Sequence, residues 1–177
     1  MTPSDIEQQI KIRYQTAEDR GAVWAVNLLA FGRPQEAELV ETLQQRNSAL
    51  CSLVAELGNK VVGHILFSPA TIRSSESELT IAALGPMAVL PGFQSQGIGS
   101  QLVRAGLNYV RELGYKIVIV LGHPTYYPRF GFKPAQPLGI RWEHNAPSDA
   151  FMVAKLVSGA LDGVRGTAYY QPEFDLV

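Results

Sequence analysis

The 177-residue chain is 46% hydrophobic and 18% charged, which is typical of a globular protein long enough to bury a core. Its formal net charge of −1 gives no electrostatic attraction to nucleic acid or to an acidic membrane, and no apolar run reaches the length of a membrane-spanning helix. The first residues also lack the apolar core of a signal peptide, so we expect a reducing, cytoplasmic setting. We expect one domain over residues 1–177, without nucleic-acid or membrane partners.

The first half of the chain predicts a strand, two helices and a hairpin. Apolar and polar residues alternate over residues 10–15, as in a half-buried strand, and Thr16 is a suitable N-cap for a helix that ends near Phe31. A second helix is expected at 35–46, followed by two strands at 50–57 and 60–68 that are joined by Gly58-Asn59, a hairpin signal.

Cys51 is the only cysteine, so an internal disulfide and a paired-cysteine metal motif are both excluded. It lies in an apolar run, which predicts a buried, inert thiol rather than a nucleophile. We expect no metal site.

Residues 79–90 form a long apolar stretch that is interrupted by Gly85-Pro86. Proline has no N–H to donate to a sheet, so a strand at this place must bulge or separate from its neighbour. An amphipathic helix at 97–113 and an apolar strand at 116–121 follow, which together predict a parallel βαβ unit with a right-handed crossover. The helix is expected to bury one face, formed by Ile98, Leu102, Ala105, Tyr109 and Leu113.

The last part of the chain predicts shorter elements and contains no repeat or linker. We expect a short helix near 125–130, a strand after Phe132, a polar loop at 142–149, a strand at 150–157 and a final short strand at 167–170.

The glycine turn Gly97-Ile-Gly99-Ser100, at the start of the best helix, suits an anion. Glycines leave no side chain between the backbone N–H groups and a ligand, and the first helical turn has unpaired donors and a positive dipole end. A P-loop would require a lysine here, and a dinucleotide fingerprint would require a third glycine, so neither motif fits. A turn that only packs a helix against a sheet is the other alternative.

Two spaced motifs resemble the GNAT superfamily of acyl-CoA-dependent N-acyltransferases. Gln94-Ser-Gln-Gly97-Ile-Gly99 is similar to its Q/R-x-x-G-x-G/A motif, and Tyr127-Pro-Arg-Phe-Gly131-Phe132 is similar to its Y-x-x-x-G-F segment. The order of elements also agrees over nearly the whole chain, which is most similar to the YhbS-like branch. The resemblance implies an α/β fold with a mixed, mostly antiparallel sheet, a central splayed parallel strand pair and helices on both faces.

By this resemblance the chain is an acetyl-CoA-dependent N-acetyltransferase. Acetyl-CoA would be the acyl donor, and a primary amine of a small molecule or peptide would attack it directly through a tetrahedral intermediate. A catalytically weak acyl-CoA-binding sensor or interaction module of the same fold is the alternative, and a longer acyl donor is another. The acceptor and the oligomeric state stay open, with a homodimer among the alternatives.

The resemblance also assigns the cofactor contacts. The backbone of Met87, Ala88 and Val89 would hold pantetheine and polarise the thioester carbonyl, while the loop and first helical turn would cradle the pyrophosphate. The remaining expected cofactor-binding residues are Gln94, Ser95, Gln96, Gly97, Ile98, Gly99, Ser100 and Phe130, the last of which would border the acyl pocket.

The expected catalytic residues are Tyr127 and His123. Tyr127 holds the position of the general-acid tyrosine, which would protonate the leaving thiolate; a purely packing role is its alternative. Many members of that superfamily carry Glu or Asp just before the position of Met87, where this chain has Gly85-Pro86. The base therefore stays open between His123 and water-relayed deprotonation.

Other titratable residues are expected to be structural or solvated. His64 is expected to be structural, and Glu143 and His144 lie in a loop that is solvated by default. Acceptor determinants are expected in residues 31–34 and 142–149.

Overall fold

The structure, a computed structural model, describes residues 9–144 and 146–176. Within these ranges the strands are, in chain order, β1 (Ile10–Tyr14), β2 (Cys51–Leu57), β3 (Lys60–Arg73), β4 (Glu78–Val89), β5 (Ile117–Leu121), β6 (Lys133–Pro134), β7 (Ile140–Trp142), β8 (Phe151–Lys155) and β9 (Gly166–Tyr169). The α-helices are α1 (Arg20–Phe31), α2 (Gln35–Gln45) and α3 (Ile98–Glu112), and short 3-10 helices include Tyr127–Phe130 and Pro172–Leu176.

The strands form one mixed sheet in the order β1-β2-β3-β4-β5-β8-β6, with β9 paired to the far end of β3 and β7 paired to β9. Neighbouring strands are antiparallel except for β4 with β5 and β7 with β9. The predicted mostly antiparallel sheet with a central parallel pair is therefore confirmed.

β4 and β5 separate shortly after they meet. Their parallel pairing covers residues 82–84 and 118–120, although β4 continues to Val89. On its other side β4 stays paired with β3, but the register shifts where β4 passes through Gly85-Pro86. The predicted bulge is confirmed, and in the described part of the chain the β5 side of residues 85–89 has no partner strand.

Helices cover both faces of the sheet. Consecutive residues of a strand point to opposite faces, and β3 shows this directly: Gly63 lies against Leu102 of α3, whereas the His64 ring meets Asn27 of α1. The sheet is therefore enclosed between α3 and α1, and its central strands are buried.

The buried face of α3 differs from the prediction. Leu113, expected in the core, lies beyond the helix and is 46% exposed. The ring of Phe67 packs directly on Gly106, so the face of α3 that contains Gly106 lies against the sheet. The buried positions are Ile98, Leu102, Val103, Gly106 and Val110.

Two boundaries also differ. Trp142, expected in a polar loop, ends β7 and pairs with Ala168; a three-residue strand is too short to give a periodic signal. β3 continues to Arg73, past its expected end at residue 68, because its far end pairs with both β4 and β9. Among the helices of the described ranges, none is long and apolar enough to cross a bilayer.

Candidate active site

A cavity of about 970 Å³ opens where β4 and β5 separate. One wall is the open end of β4, and a second is the loop and glycine turn that lead into α3. A third wall follows β5 at residues 121–129, and the remaining sides come from α1, α2, Trp142 and the segment after β9. The cavity therefore collects residues that are far apart in the sequence.

The glycine turn brings the start of α3 to this cavity. Gly97 precedes the helix with a φ of 82°, a left-handed conformation that favours glycine. A side chain at Gly99 would begin 2.8 Å from the Tyr126 hydroxyl and 3.5 Å from the sulfur of Met87. The absence of side chains at these positions lets β4 and Tyr126 approach the first helical turn, whose N–H groups have no intrahelical acceptor.

Most of the expected cofactor residues line the cavity together. These are Met87, Ala88, Val89, Gln94, Ser95, Gly97, Gly99 and Ser100.

The other three lie outside the described lining. The Ile98 side chain is buried in the core, so its backbone alone could reach a ligand. Gln96 donates to the carbonyl of Gly92, and the ring of Phe130 lies beneath the guanidinium of Arg104. The sequence resemblance thus identifies the segment that borders the cavity, but it does not show which of its side chains face the cavity.

A hydrogen bond of Gln94 connects the loop before α3 to β4. Its side-chain amide donates to the carbonyl of Val89 at 3.0 Å, which ties the beginning of the loop to the end of β4. The position of the glycine turn relative to the open strand therefore depends on this hydrogen bond.

Tyr127 lies at the base of the third wall and is 7% exposed. Its ring packs closely on Gly122 and makes edge contacts with Phe132 and Tyr126. Burial raises the pKa of the Tyr127 hydroxyl, which keeps it protonated in neutral solution. A protonated hydroxyl is the form that a general acid requires.

His123 also lines the cavity, but it is exposed at the rim. Its carbonyl accepts the N–H of Tyr126 at 3.0 Å, which starts the turn that carries both tyrosines. Tyr126 itself is half-buried, and Arg129 stacks on its ring. Sequence reasoning did not foresee the place of Tyr126 beside Gly99.

The opposite part of the cavity contains residues that the sequence did not single out. Glu36, on the first turn of α2, is 6% exposed and accepts from the guanidinium of Arg33. Tyr170 and Phe174 come from the segment after β9, and burial raises the pKa of the Tyr170 hydroxyl. Phe31, Arg33 and Trp142 also line this part, so both segments expected to hold acceptor determinants contribute to the cavity.

His64 and Cys51 lie away from the cavity lining. The His64 ring is completely buried, with Nδ1 3.1 Å from the Asn27 amide nitrogen and Nε2 2.8 Å from Ser52 Oγ. Burial lowers the pKa of His64 to about 3, so the ring is neutral. Cys51 is buried as predicted, and burial raises the pKa of its thiol to about 12. Across residues 9–144 and 146–176, no three His, Cys, Asp or Glu side chains come together in a group that could hold a metal.

Comparisons with known proteins give a consistent result. The family model described as the Acetyltransferase (GNAT) family matches residues 18–132. Two proteins of Escherichia coli (strain K12) are similar along much of the chain: the uncharacterized N-acetyltransferase YjhQ is 40% identical over 137 residues, covering 72% of this chain and 76% of YjhQ. The uncharacterized N-acetyltransferase YhbS is 33% identical over 165 residues, covering 93% of this chain and 98% of YhbS.

Two solved structures resemble the fold closely. The crystal structure of Escherichia coli YhbS in complex with CoA matches with a TM-score of 0.89 and 32% identity, covering 94% of this chain and 92% of that chain. A GNAT family acetyltransferase from Brucella melitensis in complex with acetyl-CoA matches with a TM-score of 0.77 and 32% identity, covering 94% and 98% of the two chains.

Proposed function

The chain belongs to the GNAT family of acetyltransferases, and from this membership we propose that it transfers the acetyl group of acetyl-CoA to a primary amine. The observation that carries the proposal is the separation of β4 from β5 after three paired residues, directly beside the glycine turn of α3. Because strands from β1 to β9 share one sheet, we also propose that the chain is a single catalytic domain.

The donor is acetyl-CoA, which binds in this cavity with its pantetheine along the open side of β4. YhbS was crystallised with CoA and the Brucella protein with acetyl-CoA, which supports this choice. The backbone of Met87, Ala88 and Val89 then supplies the hydrogen bonds that a neighbouring strand would otherwise make. The pyrophosphate lies at the first turn of α3, where the N–H groups and the helix dipole favour an anion.

The reaction is a direct attack of a neutral amine on the thioester carbonyl. The new C–N bond forms a tetrahedral oxyanion, which backbone N–H groups of β4 stabilise, and the C–S bond then breaks. The Tyr127 hydroxyl gives its proton to the leaving thiolate and is reprotonated from solvent. Its position supports this role, since Tyr127 lines the cavity in which the thioester would lie.

The proton of the amine leaves by way of the cavity rim. β4 carries Gly85-Pro86 where a carboxylate base would stand, so the strand itself offers no proton acceptor there. His123 lines the cavity and is in contact with solvent, and it takes the proton directly or through water.

Release of free thiol from acetyl-CoA tests the transfer reaction. The purified protein is incubated with acetyl-CoA and separate primary amines, including alkylamines, polyamines, benzylamine and lysine peptides, with mass spectrometry of the products. We expect thiol release and acetylation with at least one class of amine. Saturable CoA binding by calorimetry with no transfer to any amine would favour a binding module of the same fold.

A matched pair of glycine variants tests the placement of the pyrophosphate. Gly99→Ala puts a methyl group 2.8 Å from the Tyr126 hydroxyl at the helix start, whereas Gly92→Ala has no neighbouring atom within 4 Å. We expect Gly99→Ala to weaken CoA binding by about tenfold, roughly the effect of losing one charge-assisted hydrogen bond, and Gly92→Ala to leave it unchanged. Equal affinities in the two variants would place the anion elsewhere.

A further inference from the structure

The part of the cavity near Gly85 is separated from the part near the glycine turn. Gly85 and Val89 lie at opposite ends of the open segment of β4, about 13 Å apart at roughly 3.3 Å per residue. With the cofactor held at Met87 to Val89, the space beside Gly85 lies beyond the thioester. An acceptor must therefore approach from this end.

Three aromatic rings border that end of the cavity. An edge carbon of Phe174 lies 3.9 Å from the position where a side chain at Gly85 would begin. The ring centroids of Phe174 and Tyr170 are 4.9 Å apart, and those of Tyr170 and Trp142 are 6.1 Å apart. These residues form a continuous aromatic surface, which we name the aromatic triad (Trp142, Tyr170 and Phe174).

A buried carboxylate lies on the lining of the same cavity. Glu36 is the one acidic residue in the described lining. Its helix, α2, packs against the 3-10 helix that carries Phe174, and an ion pair of 3.1 Å between Arg46, just after the end of α2, and Glu173 strengthens this contact. The helix of Glu36 and the segment of Phe174 are thus fixed to each other.

Arg33 leaves Glu36 with free capacity for a ligand. The Nε of Arg33 lies 3.1 Å from each carboxylate oxygen, and a terminal nitrogen of the guanidinium also donates to Oε1. The Arg33 side chain is 52% exposed and lines the same cavity. A carboxylate has about four acceptor positions, which is more than one guanidinium uses. A cation inside the cavity can therefore share the carboxylate with Arg33.

We propose that Glu36 and the aromatic triad form the acceptor site, and that the acceptor is a cationic amine with an apolar body. This inference rests on the proposed function. The faces of aromatic rings attract cations, and a carboxylate forms charge-assisted hydrogen bonds with an ammonium group. The amine binds as its ammonium ion and loses its proton before it attacks.

Binding of a tertiary amine tests the site without relying on turnover. N,N-dimethylbenzylamine is a cation in neutral solution, with one N–H that can donate to a carboxylate. Its free base has no N–H to exchange for an acetyl group, so it forms no stable amide. Its affinity is measured by calorimetry in the presence of CoA. We expect Glu36→Gln to weaken its binding by about tenfold or more, since one charged partner is lost. Glu38→Gln, an exposed carboxylate on the same helical turn, is the matched control and leaves binding unchanged.

Arg33→Ala separates ligand binding from a merely structural ion pair. If Glu36 binds the amine, removal of Arg33 frees the carboxylate, and the affinity for N,N-dimethylbenzylamine stays the same or rises. If the Arg33–Glu36 pair only holds α2 in place, both variants weaken binding alike, which would overturn the proposal. So would equal binding by Glu36→Gln and Glu38→Gln.

The wild-type protein gives a second readout in case Glu36→Gln does not fold. N,N-dimethylbenzylamine should bind more tightly than benzoate, which has a similar ring and the opposite charge; equal or reversed preference would contradict the proposal. Absence of thiol release with every amine would refute the transfer reaction but leave these affinities measurable. Turnover that is indifferent to Glu36→Gln would refute only the acceptor site.

Discussion

The buried ring of His64 makes the stability of the fold depend on pH between about 7 and 5. Its Nδ1 receives the amide N–H of Asn27, and its Nε2–H donates to Ser52, an arrangement that requires the neutral ring. A second proton on Nδ1 would set two donors against each other inside the sheet. Burial accordingly lowers the pKa of His64 to about 3 from its usual 6.5.

The magnitude follows from linkage. A histidine whose pKa is lowered in the folded state binds its proton more strongly in the unfolded chain. Its contribution to the free energy of unfolding is therefore complete above the unfolded-state pKa and decreases as the pH falls below that pKa. Between pH 6.5 and pH 3, each pH unit of acidification lowers the free energy of unfolding by about 1.4 kcal/mol. Acidification to about pH 5 should therefore reduce the free energy of unfolding by about 2 kcal/mol, whichever value below that pH the folded ring has.

Urea unfolding near pH 7 and near pH 5 measures this difference. Asp19, whose pKa is lowered to about 2 by the guanidinium of Arg13, changes its contribution only at more acidic pH and does not interfere. His64→Gln should largely remove the pH dependence, and NMR of the wild-type ring should find it neutral near pH 5. A free energy of unfolding that is equal at the two pH values, or a ring that is already charged near pH 5, would refute the reasoning.

Two further predictions concern the tyrosines and the helix packing. Tyr127→Phe keeps the ring and removes the hydroxyl, and should lower kcat in the thiol-release assay by about 100-fold without changing the KM for acetyl-CoA. Tyr126→Phe is the control and should retain most of kcat. An unchanged kcat in Tyr127→Phe would show that its hydroxyl is not the general acid. Gly106→Ala would place a carbon 2.2 Å from the ring of Phe67 and should destabilise the fold by about 1–3 kcal/mol. Gly21→Ala, in a helix with open space around it, should stabilise the fold by up to about 1 kcal/mol, and a loss of stability there in urea unfolding would contradict the packing argument.

The donor side of the cavity could be predicted because its signals are local. The glycine turn, the helix after it and the apolar strands before and behind are each encoded in short segments. Gly85-Pro86 predicted the bulge because proline lacks the donor that a ladder requires. Local rules of backbone hydrogen bonding were therefore sufficient for the central part of the sheet.

The part of the cavity that we propose for the acceptor could be predicted only as two contributing segments, and not as a set of side chains, because distant contacts create it. The sequence around Glu36 gives no signal beyond its place on a helical turn. Glu36 becomes a candidate only because it lines the same cavity as Phe174, whose segment packs against α2. The buried face of α3 was misjudged for a related reason. Gly106 belongs to the core only because the ring of Phe67 occupies the space a side chain would need.

The cavity divides between two sets of segments that are separate along the chain. The wall that we propose for the donor comes from residues 84–100, and the wall with Tyr127 from residues 121–129, whereas Glu36 precedes both stretches and the aromatic triad follows them. Under the proposed assignment, changes in the flanking segments can therefore alter which amine fits while the machinery for the thioester stays intact. Such an arrangement lets one scaffold diversify into enzymes with a common donor and different acceptors.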